Sequence, residues 1–390
     1  MRPLFLTSGT VVSAMGRGQA ATLDSLRSRR SGLRPCDFAD IKTGYIGRVD
    51  SLESHKLPAK LARFDCRNNR LADLALRTDG FERAIDSAHS RYQPERVAVL
   101  IGTSTSGVLS SEDAYCHRDP DTGSLPGTYD FEHTHDMFSV ARYVRAMLGL
   151  RGPAMVVSNA CASSARVFAD AHHLIESDTC DAAVVGGVDT LCRMTLCGFA
   201  ALELISPVPC RPCDAERNGL SIGEAAGFAL LEREGDGIAL LGYGVSSDGY
   251  HMSAPHPEAA GAIAAMSAAL QRAGLGPDEI DYINLHGTGT KSNDAAEDRG
   301  VTEVFGTGTR CSSTKGWSGH ALGAAGILEA MISVVCIRHG LLPGCLNVTA
   351  IDPGFRARVM VENETGLVRR VISNSFGFGG SNCSLVLGTA

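Results

Sequence analysis

No apolar run in the 390 residues approaches the roughly 20 positions that a membrane-spanning helix needs. The opening run Met1-Arg2-Pro3-Leu4-Phe5-Leu6 breaks at Thr7-Ser8-Gly9-Thr10, too early for the apolar core of a secretory signal, and reads as a first strand followed by a Gly/Ser turn. Positive charge is also scarce: 36 Lys and Arg against 43 Asp and Glu give a net charge of −7, which argues against a generally basic nucleic-acid-binding surface. Thirteen cysteines, an odd number, are too sparse for a disulfide scaffold, and reduced thiols in the cytoplasm are the simplest reading. No second Cys-x-x-Cys accompanies Cys210-Arg211-Pro212-Cys213, so a structural zinc site there lacks two ligands and packing is favoured. No G-x-G-x-x-G opens a helix at the C-terminal glycine-rich run, which removes a dinucleotide loop.

What is present is glycine, 44 residues of it, and a composition 44% hydrophobic and 20% charged. The length allows two or three domains of about 150 residues, or one large α/β unit with a sheet buried on both faces. Short apolar runs ending in glycine or small polar residues predict strands at Val97 to Ile101, Ala154 to Val157, Ala182 to Val185, Ile238 to Leu241, Tyr282 to Leu285 and Val368 to Ile372. An internal echo divides the chain. Gly102-Thr103-Ser104-Thr105 follows one strand and Gly287-Thr288-Gly289-Thr290 another, and each is followed by a helix rich in small residues, beginning at Cys161 and near His320. Two halves are expected, 1–236 and 237–390, divided near Gly235 to Gly237. The wider spacing in the first half predicts a polar, loop-like insertion near Ser111 to Asp136, within which Glu132-His133-Thr134-His135-Asp136 reads as a polar loop at a dimer contact.

Cys161 stands between a strand and a helix whose buried face is Val167, Phe168, Ala171, Leu174 and Ile175. A thiol at a helix N-terminus is expected to have a lowered pKa, and its small neighbours leave room for a carbonyl. A structural cysteine is the competing reading. His286 ends a strand before Gly287-Thr288-Gly289-Thr290, and His320 opens a helix within Thr314 to Gly326. A single histidine at a strand end is more often a satisfied polar residue. Two in duplicated positions suggest a shared site with Cys161.

These segments resemble the elongating β-ketoacyl-acyl-carrier-protein synthases, condensing enzymes of the thiolase-like superfamily. The resemblance is carried by the Cys161 segment, Pro209 to Asp214, Gly223-Glu224-Ala225-Ala226-Gly227, Ser247 to Pro255, His286 to Thr290, Thr314 to Gly326, and Asn374-Ser375-Phe376-Gly377-Phe378-Gly379-Gly380-Ser381-Asn382. It implies an α/β thiolase-like fold of two duplicated βαβαβ-type halves in α-β-α-β-α layers. It further implies a decarboxylative Claisen condensation through an acyl-Cys161 intermediate, in fatty-acid or related chain elongation. His286 and His320 would stabilise the enolate as neutral donors, and the N–H groups of Cys161 and Phe378 would form the oxyanion hole, with the Phe378 ring as a gate. By the same resemblance Lys315 and Glu329 orient the histidines, and Thr288 and Thr290 hold the pantetheine arm. Lys60 and Arg63, in the basic stretch Lys56, Lys60, Arg63, Arg67 and Arg70, would dock the acidic acyl carrier protein. No metal or redox cofactor is implied beyond the carrier's phosphopantetheine. A homodimer is implied, or a heterodimer with a chain-length partner.

Two positions depart from the family pattern: Cys213 replaces an aromatic residue and Lys291 a proline, which puts a cation near the entrance. Three rivals from other classes fit less well: the glycine-rich run before Cys383 follows the synthase pattern, the Lys315/His320 spacing is that of an elongating enzyme, and Cys161, His286 and His320 are kept together. A degradative thiolase would use a second cysteine, for which Cys383 is available. An initiating synthase would replace one histidine by asparagine. A non-catalytic chain-length partner would lack the nucleophile. The pathway stays open between fatty-acid elongation and a bacterial polyene or polyketide route.

Overall fold

The computed structural model describes residues 1–38, 41–42 and 44–389. Val97–Gly102 and Ala182–Asp189 are buried at every position, so neither has the solvated alternate face of a one-sided strand and both need cover on two sides. That requirement fixes the layering.

Five principal strands frame each half, and two-residue strands at Gly16–Arg17 in the first half and Arg358–Val359 at the far edge of the second complete a 12-stranded sheet. In the first half the principal strands are β1 (Leu4–Ser13), β2 (Val97–Gly102), β3 (Ala154–Val157), β4 (Ala182–Asp189) and β5 (Ala225–Glu232). In the second they are β6 (Ile238–Ser247), β7 (Tyr282–Asn284), β8 (Arg310–Ser312), β9 (Arg370–Gly377) and β10 (Ser381–Thr389). The spatial orders are β3-β2-β4-β5-β1 and β8-β7-β9-β10-β6. In each half the three strands farthest from the junction are parallel, and the two nearest it add antiparallel pairings. The repeat extends to a bulge: the register shifts between Leu6 and Ser8 in β1 and between Leu240 and Gly242 in β6. The half-sheets join where Leu4 and Phe5 pair with Leu240 and Ala239.

Two helices lie between the half-sheets, Ser163–Glu176 and Ala325–His339, within one core that also takes residues from β1, β5, β9 and β10. Arg67–Leu76 and Ser139–Met147 cover the outer face of the first half, with Leu71, Leu76, Val140 and Val144 in its core. Ala260–Ala273 and Lys291–Phe305 cover the second through Ala265, Met266, Val301 and Phe305. The result is the α-β-α-β-α order.

Several expectations need correction. The Gly/Ser turn at Thr7 to Thr10 is strand: β1 continues through Gly9 to Ser13, because the bulge absorbs the break in the apolar pattern. Leu322–His339 does approach membrane length, 18 residues of mean hydropathy 1.5, but 89% of it is buried, because a helix between two sheets must be apolar all round. The insertion near 111–136 is not simply a loop. Val108–Cys116 and Phe131–Thr134 are helical, and the second is capped by the Asp130 carboxylate accepting from the His133 N–H. The last parallel strand starts at Arg370 rather than Val368, since the N–H groups of Arg369 and Arg370 are taken by the Asp281 carboxylate.

Gly102 ends β2 directly beneath the Cys161 segment, and a Cβ there would lie 2.3 Å from the Ser164 backbone nitrogen. That neighbour is main chain at a helix start and cannot swing aside. Gly102→Ala should therefore lose about 1–3 kcal/mol in urea unfolding; an unchanged midpoint would show that the helix shifts freely.

Candidate active site

The sulfur of Cys161 is held between the two halves. Ala160 adopts φ +47°, its carbonyl accepts from Ser163 Oγ at 2.6 Å, and Ser163 Oγ accepts from the Asn159 N–H at 2.8 Å. Asn159 Oδ1 in turn accepts from Ser381 Oγ at 2.7 Å, so the elbow is tied to the second half. From that half Gly377 approaches so closely that a Cβ would sit 3.1 Å from the Cys161 nitrogen, and the Phe378 N–H reaches the sulfur. Gly379 has φ +76°, a left-handed turn that only glycine makes without strain, and it lets the chain double back at this point.

His320 Nε2 lies 3.0 Å from Cys161 Sγ. Its backbone is clamped on both sides: its N–H donates to the Ser221 carbonyl at 2.7 Å and its carbonyl accepts from the Gly223 N–H at 2.9 Å. The His286 ring stands nearly perpendicular to that of His320, 82° with centroids 5.2 Å apart. Lys315 is buried beneath them. Its ammonium donates to Glu329 and to the His286 carbonyl, and lies 3.4 Å from His286 Nδ1. A donor at Nδ1 leaves the ring proton of neutral His286 on Nε2. His320 Nδ1 has no protein partner, so nothing fixes which nitrogen carries its proton.

Burial, reinforced by the Lys315 ammonium, holds both histidines well below the usual histidine range, and His286 is lowered further by His320. Both are neutral near pH 7. Burial raises Glu329 to about 7 against the opposing attraction of Lys315. The expectation for Cys161 is reversed. Desolvation pushes its thiol up to about 11, although Lys315 and the Phe378 N–H both favour the thiolate. The helix start does not offset the burial of the sulfur.

Thr288 and Thr290 share a 2.9 Å contact between hydroxyls and line the same cavity as Cys161, His286 and His320. The space free of protein atoms there is about 580 Å³, including its mouth. Phe378 also lines it and is stacked on Phe199, centroids 5.6 Å apart at 25°. Glu329 and Lys315 stand behind the wall. Lys291 is exposed at the start of its helix, beside the lining residues Thr290 and Ser292. Lys60 and Arg63 are exposed on the short 3-10 helix Ala59–Phe64, away from the lining residues.

The basic stretch is smaller than its sequence suggests. Arg67 is buried and bonded to Glu224 and Glu53, and Arg70 forks onto Asp65, which leaves Lys56, Lys60 and Arg63 as its outward cations. Cys210 and Cys213 share no site: the Cys210 thiol reaches the Lys315 carbonyl, whereas Cys213 lies against Cys345. Cys383, the residue a thiolase reading needs, is buried in β10 within the central core, with its thiol raised to about 12 by burial.

Residue-level reading missed Glu297, Asp189 and Phe199. Glu297 accepts the N–H groups of His286 and Gly287 at 2.8 and 2.7 Å, and burial raises it to about 7. Asp189 accepts from Thr103, Ser104, Thr105 and Gly323, which pins the first Gly-Thr-x-Thr turn to the His320 segment. The one available signal for Glu297 was its i,i+3 spacing from Asp294 on a single helix face, both residues being buried.

Residues 10–237 match the family described as "Beta-ketoacyl synthase, N-terminal domain", and residues 238–349 match "Beta-ketoacyl synthase, C-terminal domain". The chain belongs to the β-ketoacyl synthase family. It is an enzyme with the activity of an elongating ketosynthase. It is 34% identical over 380 residues to the 3-oxoacyl-[acyl-carrier-protein] synthase 2 of Rhizobium meliloti, covering 90% of this chain and 86% of that protein. A 267-residue match to the mitochondrial 3-oxoacyl-[acyl-carrier-protein] synthase of Arabidopsis thaliana is 39% identical and covers 63% of this chain and 58% of that one. A ketosynthase of Xenorhabdus doucetiae, solved in complex with its chain length factor, has a TM-score of 0.91 at 39% identity, covering 100% of this chain and 98% of that one.

With its thiol raised to about 11, free Cys161 should alkylate with iodoacetamide about tenfold faster per pH unit between pH 7 and 9. A rate already level at pH 7 would mean that a Cys161 thiolate paired with protonated His320 exists at rest.

Proposed function

We propose that this ketosynthase condenses an acyl group with a malonyl group, both delivered on acyl carrier protein, through a thioester on Cys161. The observation that carries the reading is the convergence of Cys161, His286 and His320 on one buried cavity, with their donor atoms within 4.8 Å of one another. Cys161 attacks the incoming thioester. Its proton passes to His320 Nε2 at 3.0 Å and then to the departing pantetheine sulfur. When the malonyl thioester follows, the bond to its carboxylate breaks, carbon dioxide leaves, and the electron pair forms an enolate. His286 already carries its proton on Nε2, and His320, whose unpartnered Nδ1 leaves the neutral ring free to change tautomer, moves its proton from Nδ1 to Nε2 once the thiol is acylated; both then donate to the developing oxyanion. The carbanion then attacks the acyl-Cys161 carbonyl, whose oxygen is held by the N–H groups of Cys161 and Phe378. Collapse expels the Cys161 sulfur.

Lys315 and Glu329 act through the histidines: the ammonium fixes the His286 tautomer, and the carboxylate accepts from that ammonium in the buried pocket. Thr288 and Thr290 lie where a pantetheine arm would thread. The Phe378 ring would leave its stack on Phe199 to admit the acyl chain. No metal or redox cofactor is required beyond the carrier's phosphopantetheine. Lys60 and Arg63 offer the carrier an exposed cationic segment on a protein of net charge −7.

The halves are taken as 1–236 and 237–390. Assembly is through the β3 edge, where Met155 is 40% exposed on a strand that has a partner on one side only. A homodimer or a heterodimer with a chain-length partner both satisfy that edge. The likeness to a ketosynthase bound to its chain length factor favours the heterodimer, and with it a polyene or polyketide pathway over housekeeping fatty-acid elongation. A cytoplasmic location fits thirteen free cysteines.

Incubation with an acyl carrier substrate followed by mass spectrometry should find the acyl group on Cys161; active enzyme that leaves Cys161 unmodified would sink the mechanism. His320→Ala should slow condensation about a hundredfold or more. The double variant Lys60→Glu/Arg63→Glu should raise KM for a carrier-bound substrate and leave KM for a small thioester mimic nearly unchanged; equal effects on the two substrates would remove the docking role.

A further inference from the structure

Among the described residues, the one group of three histidine, cysteine or acidic side chains with metal-ligand spacing is Cys161, His286 and His320, all buried. We propose that, before acylation, these three side chains form a reversible inhibitory site for a soft divalent cation, Zn²⁺. The inhibitory consequence rests on Cys161 being the nucleophile; the binding itself does not.

The donor set decides the metal. One thiolate and two imidazoles suit Zn²⁺ and do not suit Mg²⁺ or Ca²⁺, which take oxygen ligands. Three protein ligands leave a fourth tetrahedral position for a water from the cavity. With zinc bonds of about 2.3 Å to sulfur and about 2.0–2.1 Å to nitrogen, the ligand atoms would stand about 3.4–3.6 Å apart. The 3.0 Å contact between Cys161 Sγ and His320 Nε2 needs to open by only about half an ångström, and all three donors already lie within 4.8 Å.

Two features make the site reversible rather than a resident metal centre. His320 Nδ1 has no acceptor to orient the ring from behind. Lys315 places a cation 3.4 Å from His286 Nδ1 and holds the ring proton on Nε2, so His286 can offer a lone pair to the metal only when the ammonium gives up Nδ1, either to the metal or to the proton shifted from Nε2. Binding breaks the Cys161 S–H bond, the sulfur pair goes to the metal, and the proton leaves to solvent, with no change of oxidation state. Acylation puts the same sulfur into a thioester and reduces the site to two imidazoles. Zinc and the acyl donor therefore compete for one atom.

The test uses the full chain carrying Cys116→Ser and Cys197→Ser, which removes the two exposed thiols. Iodoacetamide modification of Cys161 is followed by peptide mass spectrometry, with Zn²⁺ as the probe. At a Zn²⁺ concentration about ten times its measured Kd, modification should slow about tenfold and recover on addition of a chelator. His286→Ala and His320→Ala should still alkylate and should lose the protection. If those variants do not fold, Co²⁺ added to the unmodified parent chain should give a thiolate-to-metal charge-transfer band that prior alkylation of Cys161 abolishes. An alkylation rate indifferent to Zn²⁺, protection that survives in both folded histidine variants, or a Co²⁺ band that survives alkylation would each overturn the proposal. None of these readouts needs condensation: a protected Cys161 that never becomes acylated would refute the proposed mechanism alone.

Discussion

The site depends on how closely two helices pack. Ser163–Glu176 and Ala325–His339 run between the half-sheets, and a Cβ on Gly326 would come within 2.5 Å of the Ala165 nitrogen. Their starts converge because they occupy equivalent places in a duplicated topology. Cys161 lies just ahead of one helix and His320 just ahead of the other. Widening the helix contact by a side chain would break the 3.0 Å approach between sulfur and imidazole. Ala, Ser and Gly near both helix starts are therefore a geometric requirement of the chemistry.

That packing also buries the reacting side chains, and the electrostatics follow. Burial disfavours every charged form at the site, so the histidines are neutral donors and the thiol keeps its proton until a base takes it. The Lys315–Glu329 pair stays tolerable because the ammonium also donates to the His286 carbonyl. One buried cation thus orients a ring, opposes its protonation and favours the Cys161 thiolate. Glu297 supports His286 from the opposite side through two main-chain N–H groups.

On the proposed readings the same site would serve two chemistries. With Cys161 acylated, the two imidazoles would stabilise an oxyanion; before acylation, the thiol and both imidazoles match the ligand set of a soft cation. What separates the two uses is whether the Cys161 sulfur carries an acyl group.

Cys161, His286, His320, the Gly-Thr-x-Thr echo and the duplicated order of elements were legible in the sequence, because each is a local pattern: a residue at the end of an apolar run, flanked by small residues. The family resemblance and the layered fold followed from the order of those patterns along the chain. Tertiary structure decided what depends on distant neighbours. Arg67 was one of five evenly spaced cations until Glu224, 157 residues away, neutralised it. The thiol of Cys161 could be placed at a helix start from sequence, but its upward shift required knowing that both halves close over it. β1 hid its length behind a bulge, and Leu322–His339 carried the apolar composition of a membrane helix because two sheets enclose it. Sequence determined which groups could react; the closure of one half on the other determined their charge states and their distances.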